Sequence, residues 1–426
     1  MEYYALRQKI ENGDMDALFA RLYGKENISA QRQRYCDALD AFSQLFGEDR
    51  DVKIYSAPGR TEISGNHTDH NNGKVLAASV NLDVIAVVSI NGDNTVRLQS
   101  KGYPMDTVRL DDLEIKSDEV NRSASLIRGM AKKFALEGHK IGGFDAYTTS
   151  GVLKGSGLSS SAAFEVLVGT IMSYLFNEGS VHSVEIAKYA QFSENVYFGK
   201  PSGLMDQMAS SVGGMIAIDF ADTQNPMIRQ VDFDFDALGC ALCIVDTGGN
   251  HADLTHEYAS IPSEMKSVAS LFGQETLRRI SMEDLIQKAA EVRKQCGDRA
   301  LLRAYHFLSE NDRVDSIVGA LEQKDYPHFL ALLADSGNSS FRYLQNVYAN
   351  VNPQEQGLSV ALFLAERFLN GEGACRVHGG GFGGTTQNFV PVDRVDAFRA
   401  MMEDVFGKGC CHILSIRPVG GIEIID

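Results

Sequence analysis

The sequence predicts a globular protein of mixed helices and strands whose second half opens at a strand over Met215–Asp219. Three observations carry that reading. The chain has 426 residues and 44% hydrophobic content, enough for two or three packed cores. Runs rich in Val and Ile, such as Lys74–Ile90, alternate with segments whose apolar residues recur at helical spacing, such as residues 124–136. A Gly- and Ser-rich loop, residues 152–164, joins a strand-like segment to a helix in which Ala162, Ala163, Val166, Leu167, Thr170, Ile171 and Tyr174 recur with that period.

Composition narrows the function classes. Acidic residues outnumber basic ones, 56 to 40, and no Lys/Arg run makes a stripe that could follow a nucleic-acid backbone, so no nucleic acid partner is expected. Seven cysteines, an odd count and mostly scattered along the chain, suit a reducing, cytoplasmic setting. The N-terminus lacks a basic segment followed by an apolar core, and Asn81 and Asp83 interrupt the most apolar stretch, so no membrane span is expected.

In chain order, residues 1–50 read as helices, over 16–23 and 35–46, the latter closed by Gly47, and form an appendage on a sheet domain. A strand over 52–56 is turned by Ala57-Pro58-Gly59, and residues 74–90 read as two buried strands around Asn81-Leu82-Asp83. Strands at 96–100, 106–110 and 144–149 enclose a helix over 124–136. A helix over 184–197 is followed by another from near Leu204. In the second half a strand at 241–246 leads into the polar Asp246–His251 loop. Helices are expected over 258–271, 282–295, 301–308, 314–322, 326–338 and 356–368. The glycine-rich run 377–384 precedes a strand at 386–390, and residues 412–417 and 421–425 are expected to pair with each other.

Three stretches bear chemistry. In Gly155-Ser156-Gly157-Leu158-Ser159-Ser160-Ser161 the glycines permit close approach of an anion, and the serines fall at a helix N-terminus, where free N–H groups and the macrodipole favour a phosphate; an ordinary capped core helix is the alternative. In residues 60–70, Asp69 can accept two sugar hydroxyls, His67 and Asn66 can donate or accept, and Arg60 supplies a permanent cation, so the segment suits a polyol, or a polar hairpin loop. Glu194 and Asp206 flank a Pro-Ser-Gly turn, as helix caps or as a metal ligand and a general base.

Taken together the chain resembles the GHMP small-molecule kinases and, within them, the galactokinase family. The resemblance rests on Ala57-Pro58-Gly59-Arg60 running into Gly65-Asn66-His67-Thr68-Asp69, then Gly155 to Ala163, then Gly379 to Gly384, three motifs in the family's order. It implies an α+β, two-lobed GHMP kinase fold: residues 1–215 as an N-terminal lobe of the ribosomal protein S5 domain 2 type with a helical extension, and residues 216–426 as a ferredoxin-like lobe. It also implies an ATP-dependent sugar 1-kinase. No Gly-Lys-Ser or Gly-Lys-Thr occurs, so the loop from Gly155 to Ser161 would hold the triphosphate without a Walker lysine. By resemblance, Ser161 and Glu194 hold Mg²⁺, Asp206 is the catalytic base, and Arg60 is its partner. Asn66, His67, Asp69, Gly203 and Tyr258 lie on the sugar side.

The chain departs from the family at four places, one of them the Asp246–His251 loop with its double glycine. Asn66 stands where the family has a glutamate that holds the sugar's 6-hydroxyl, His70 replaces a tyrosine, and residues 261–266 lack the usual arginine run. Galactose is the expected acceptor. A neutral amide at 66 also suits a carboxylate at carbon 6, as in galacturonate, or a pentose such as L-arabinose. A sugar- and ATP-binding sensor that transfers nothing is the alternative from another class.

Overall fold

The computed structural model describes residues 1–152, 157–249 and 254–425. Two sheets organise these residues. The larger runs β12(Ile422–Ile424), β1(Lys53–Ser64), β2(Lys74–Ile90), β5(Phe144–Ser150), β3(Thr95–Ser100), β4(Met105–Arg109), with β6(Met215–Asp219) on β2 and β7(Met227–Gln230) on β6. The smaller is β11(Cys411–Leu414), β8(Cys240–Asp246), β10(Thr385–Pro391), β9(Ala374–Val377). All pairings are antiparallel except β3 with β5.

The larger sheet is buried on both faces, which is why its central strands are almost continuously apolar. On one side the N-terminal helices Tyr3–Asn12, Asp16–Tyr23 and Ile28–Phe46 pack Phe19, Leu39 and Phe42 toward Ile54, Ile85 and Val87. On the other, helices Ser123–Leu136 and Ser160–Asn177 bury Ile127, Phe134, Val166 and Ile171 with Ala86 and Val88.

β2 corrects an expectation: residues 81–83 do not separate two strands. The strand runs unbroken through them because Asp83, fully buried, is the hub of an ion-pair network rather than a turn residue. Arg34 and Arg417 reach its carboxylate at 2.6 and 2.9 Å, and the Tyr23 hydroxyl donates to it at 2.6 Å. The network ties the N-terminal helices and the C-terminal tail to the middle of the sheet.

β1 likewise continues through Ala57-Pro58-Gly59, which was expected to turn. Its neighbour β12 pairs only with residues 54–56, so the missing N–H of Pro58 falls on an unpaired edge, and a register shift between Pro58 and Arg60 absorbs the proline. β6, expected to open the second half, belongs by its hydrogen bonds to the first sheet. The last two strands do not pair with each other: β11 joins β8, while β12 returns to β1. Residues 301–308 and 314–322 form one helix, Asp298–Glu322, whereas residues 282–295 divide at Lys288 into Met282–Gln287 and Ala289–Cys296. No helix among the described residues is long and apolar enough to cross a membrane.

Candidate active site

The site begins at the bulge in β1. Beyond Pro58 the shifted register leaves Arg60 nearly buried under the tip of helix Ser160–Asn177, with its own N–H donating to the Leu158 carbonyl at 3.0 Å. The guanidinium forks onto Asp206: Nε donates to Oδ1 at 2.6 Å and a terminal nitrogen to Oδ2 at 2.7 Å. The remaining nitrogen donates to the Gly157 carbonyl. Asp206 lies in the first turn of helix Met205–Val212, where the macrodipole favours a carboxylate, and its side chain keeps 28% of its surface exposed. Burial pushes this carboxyl up, but the charge and hydrogen bonds of Arg60 and the Ser159 hydroxyl outweigh it and hold the group below the usual carboxylate range.

The helix tip beside the pair has the backbone geometry that suits an anion. Ser159 adopts a left-handed φ of 54°, releasing the chain into helix Ser160–Asn177, whose first-turn amides have no intrahelical partners. Gly157, at φ 70°, is obligatory: a Cβ there would sit 2.9 Å from Thr385 Oγ1 and 3.0 Å from His378 Nδ1. The cradle is thus pressed against the start of the late glycine-rich run. Gly155 and Ser156 lie outside the described residues.

Ser161 Oγ donates to Glu194 Oε1 at 3.1 Å, so the expected metal pair is brought together. Glu194 lies on a π-helical turn, Ser193–Phe198, into which the predicted helix over 184–197 gives way after Phe192. Such a turn re-aims side chains, and here it faces Glu194 toward the serine helix. Glu194 is 2% exposed, with Gln207 Nε2 donating to Oε2 at 2.8 Å and the Lys200 ammonium 3.1 Å from Oε1. The pair offers two hard oxygen donors. No cluster of three or more His, Cys, Asp or Glu that could hold a metal occurs among the described residues, so a magnesium ion here would take its other ligands from phosphate and water, as that ion commonly does.

The segment after β1 divides in two. Asp69, at the start of the 3₁₀ turn Asp69–Asn71, lies against Gly203, where any Cβ would overlap its Oδ2; these two are brought together just ahead of helix Met205–Val212, which carries Asp206. His67, at φ 57°, donates from Nε2 to the Gly380 carbonyl at 2.8 Å, and burial pushes its pKa down to about 3, so the ring is neutral.

Asn66 corrects the expectation that it faces the substrate. It is fully buried, and every hydrogen-bonding valence of its amide is taken by protein: Nδ2 donates to Glu62 Oε1 (3.0 Å) and the Gly379 carbonyl (2.6 Å), while Oδ1 accepts from Asn346 (2.7 Å) and Ser340 (3.3 Å). A glutamate could not make the two donations; the amide is here a tie between β1 and the glycine-rich loop. Tyr258 belongs to the same tie, its hydroxyl donating to the Gly381 carbonyl at 2.8 Å and its ring edge-on to Phe382.

Sequence reasoning missed Gln207, Lys200, Glu62 and Asn346. Gln207 follows Asp206 directly, and adjacent helical residues point different ways, so one meets Arg60 while the other meets Glu194. Asn346 carries no signal, since its partner is 280 residues away in the chain.

Comparison with known proteins adds to this geometry. The galactokinase galactose-binding signature matches residues 40–90, and the GHMP kinases N terminal domain matches residues 125–214. A galactokinase of Streptomyces coelicolor is 32% identical, with 86% of this chain and 92% of that protein covered. One from Glaesserella parasuis is 30% identical over 86% and 92%. Among solved structures, Lactococcus lactis galactokinase complexed with galactose superposes with a TM-score of 0.77 at 25% identity, covering 90% of this chain and 98% of that one. A mevalonate kinase shares the fold alone, with a TM-score of 0.60 at 15% identity over 85% and 99%.

Proposed function

The chain belongs to the galactokinase family, and from that premise we propose that D-galactose is the acceptor and its anomeric oxygen the nucleophile. It is an ATP-dependent sugar kinase of the GHMP class. The observation that carries the proposal is the Arg60–Asp206 fork lying beside a helix tip whose backbone geometry suits an anion.

In the proposed reaction the first-turn amides of helix Ser160–Asn177 cradle the triphosphate, and Ser161 and Glu194 would hold magnesium. Magnesium held by these two side chains would supply positive charge against the phosphates. Asp206 accepts the hydrogen bond of the anomeric hydroxyl. Because Arg60 keeps its carboxyl below the ordinary range, Asp206 is a weak base, so the proton crosses late, as the new O–P bond forms and ADP leaves with the electrons of the old one. A loose phosphoryl-transfer transition state has no need of an alkoxide beforehand. Arg60 keeps the aspartate ionised and faces charge developing on the transferred group. No covalent intermediate is involved.

Asp69 beside Gly203, with His67 fixed next to it, supports the assignment of the sugar side. Since the Asn66 amide is saturated by protein, the change at residue 66 gives no ground for a sugar altered at carbon 6. Seven free thiols support a cytoplasmic setting. An ADP-release assay with D-galactose, L-arabinose and D-galacturonate tests the proposal. Galactose should give the highest kcat/KM. Preference for another sugar overturns the substrate, and ATP binding without turnover on any of them overturns transfer in favour of a sensor.

A further inference from the structure

Lys200 takes no part in the chemistry above, yet its ammonium occupies a telling place. It lies 3.1 Å from Glu194 Oε1, the same oxygen to which Ser161 Oγ donates. Its side chain is 60% exposed, whereas Glu194 is 2% exposed. The other hydrogen-bond donors on Glu194 among the described residues, Ser161 and Gln207, are neutral, and the buried Glu165, to which Gln207 Nε2 also donates at 3.3 Å, adds a second acid nearby. A buried carboxylate needs a compensating cation, and a half-solvated lysine on a flexible four-carbon stem can leave at small cost. Backbone geometry sets the residue up for this. The N–H groups of Gly199 and Lys200 both return to the Glu194 carbonyl, at 3.0 and 3.1 Å, and Gly199, at φ 88°, ends the π turn so that the lysine folds back over it.

We propose that Lys200 is the resident counter-ion of the metal site: it neutralises Glu194 while no metal is bound, yields Oε1 to the divalent ion that arrives with the nucleotide, and then pairs with the phosphates. Two cations cannot share that oxygen without strong repulsion, so metal binding displaces the ammonium. The displaced group remains at the rim of the cradle, where the negative charge of the triphosphate enters. The inference rests on the reading of Ser161 and Glu194 as the metal pair.

The test uses the full-length protein and Lys200→Met, its fold verified by circular dichroism, with Lys200→Arg as the variant that keeps a cation beside Glu194. Mn²⁺ titrated without nucleotide and followed by electron paramagnetic resonance should bind Lys200→Met about fivefold more tightly than wild type, the competitor being gone. A non-hydrolysable ATP analogue with Mg²⁺, followed by calorimetry, should bind it about tenfold more weakly. Lys200→Arg should follow wild type in the Mn²⁺ titration. Opposite shifts for ion and nucleotide support the exchange. Equal Mn²⁺ affinities, shifts in the same direction, or no Mn²⁺ binding by either protein overturn it. Glu194→Gln separates the two readings: Mn²⁺ affinity unchanged by that substitution overturns the metal pair itself.

Discussion

Arg60 and Asp206, separated by 146 positions in the chain, meet in a two-pronged ion pair of 2.6 and 2.7 Å. Each prong uses a different carboxylate oxygen, so the aspartate is fixed in rotation as well as in charge. Replacing Asp206 by Asn keeps the shape and removes the proton acceptor. Turnover should fall by about 10²- to 10⁴-fold, the usual worth of an acid–base group, while calorimetry shows MgATP affinity within a few-fold of wild type. Unchanged turnover would remove Asp206 from the chemistry.

Gly203→Ala drives a methyl group into Asp69 Oδ2. The expected result is a rise of roughly tenfold or more in KM for galactose with KM for ATP little changed, because the displaced carboxylate no longer meets the sugar hydroxyls. Initial-rate kinetics with each substrate varied in turn provide the check. Equal effects on both constants would place Asp69 away from the sugar.

Asn66→Glu installs the residue that the family carries at this position, and here it should destabilise. The new carboxylate would face Glu62 Oε1 and the Gly379 carbonyl with no proton to donate, leaving a buried charge uncompensated at a cost of about 3 kcal/mol. Urea unfolding measures it. A variant as stable as wild type would mean that the tie around residue 66 rearranges freely.

His67 gives a pH signature of definite sign. Burial holds its folded-state pKa at about 3, below the ordinary imidazole value of about 6.5, so between those limits the unfolded chain takes up a proton that the folded chain refuses. The stabilisation is complete above pH about 6.5 and is lost as the pH falls through that window. His67→Gln removes this contribution. Between pH 7 and pH 5 wild type should lose about 2 kcal/mol more unfolding free energy than the variant. Parallel losses in the two proteins would show that the ring charges without unfolding.

Much of this was legible in the sequence, and what was not has physical causes. The helix after the serine loop follows from local pattern, whereas the Arg60, Asp69, Ser161, Glu194 and Asp206 set was singled out through the family resemblance; the fold brings Arg60 to Asp206, Ser161 to Glu194 and Asp69 to Gly203. Asp83 read as a turn residue because an acid in an apolar run usually is one; only Arg34 and Arg417, remote in sequence, make it a strand residue. Pro58 read as a turn because nothing local reveals that its edge is unpaired. Asn66 read as a substrate contact because its saturating partners, Asn346 and Gly379, come from the far end of the chain.

The return of β12 to β1 has a consequence for biosynthesis. Residues 422–424 complete the edge of a sheet whose first strand was made some 370 positions earlier, and Arg417 brings Asp83 its second cation. While the ribosome is still building the second lobe, the first therefore waits with an open edge beside Tyr55 and a half-neutralised acid in its centre. The domain that begins first is finished last, and a chain released a dozen residues short would lack the clasp that closes it.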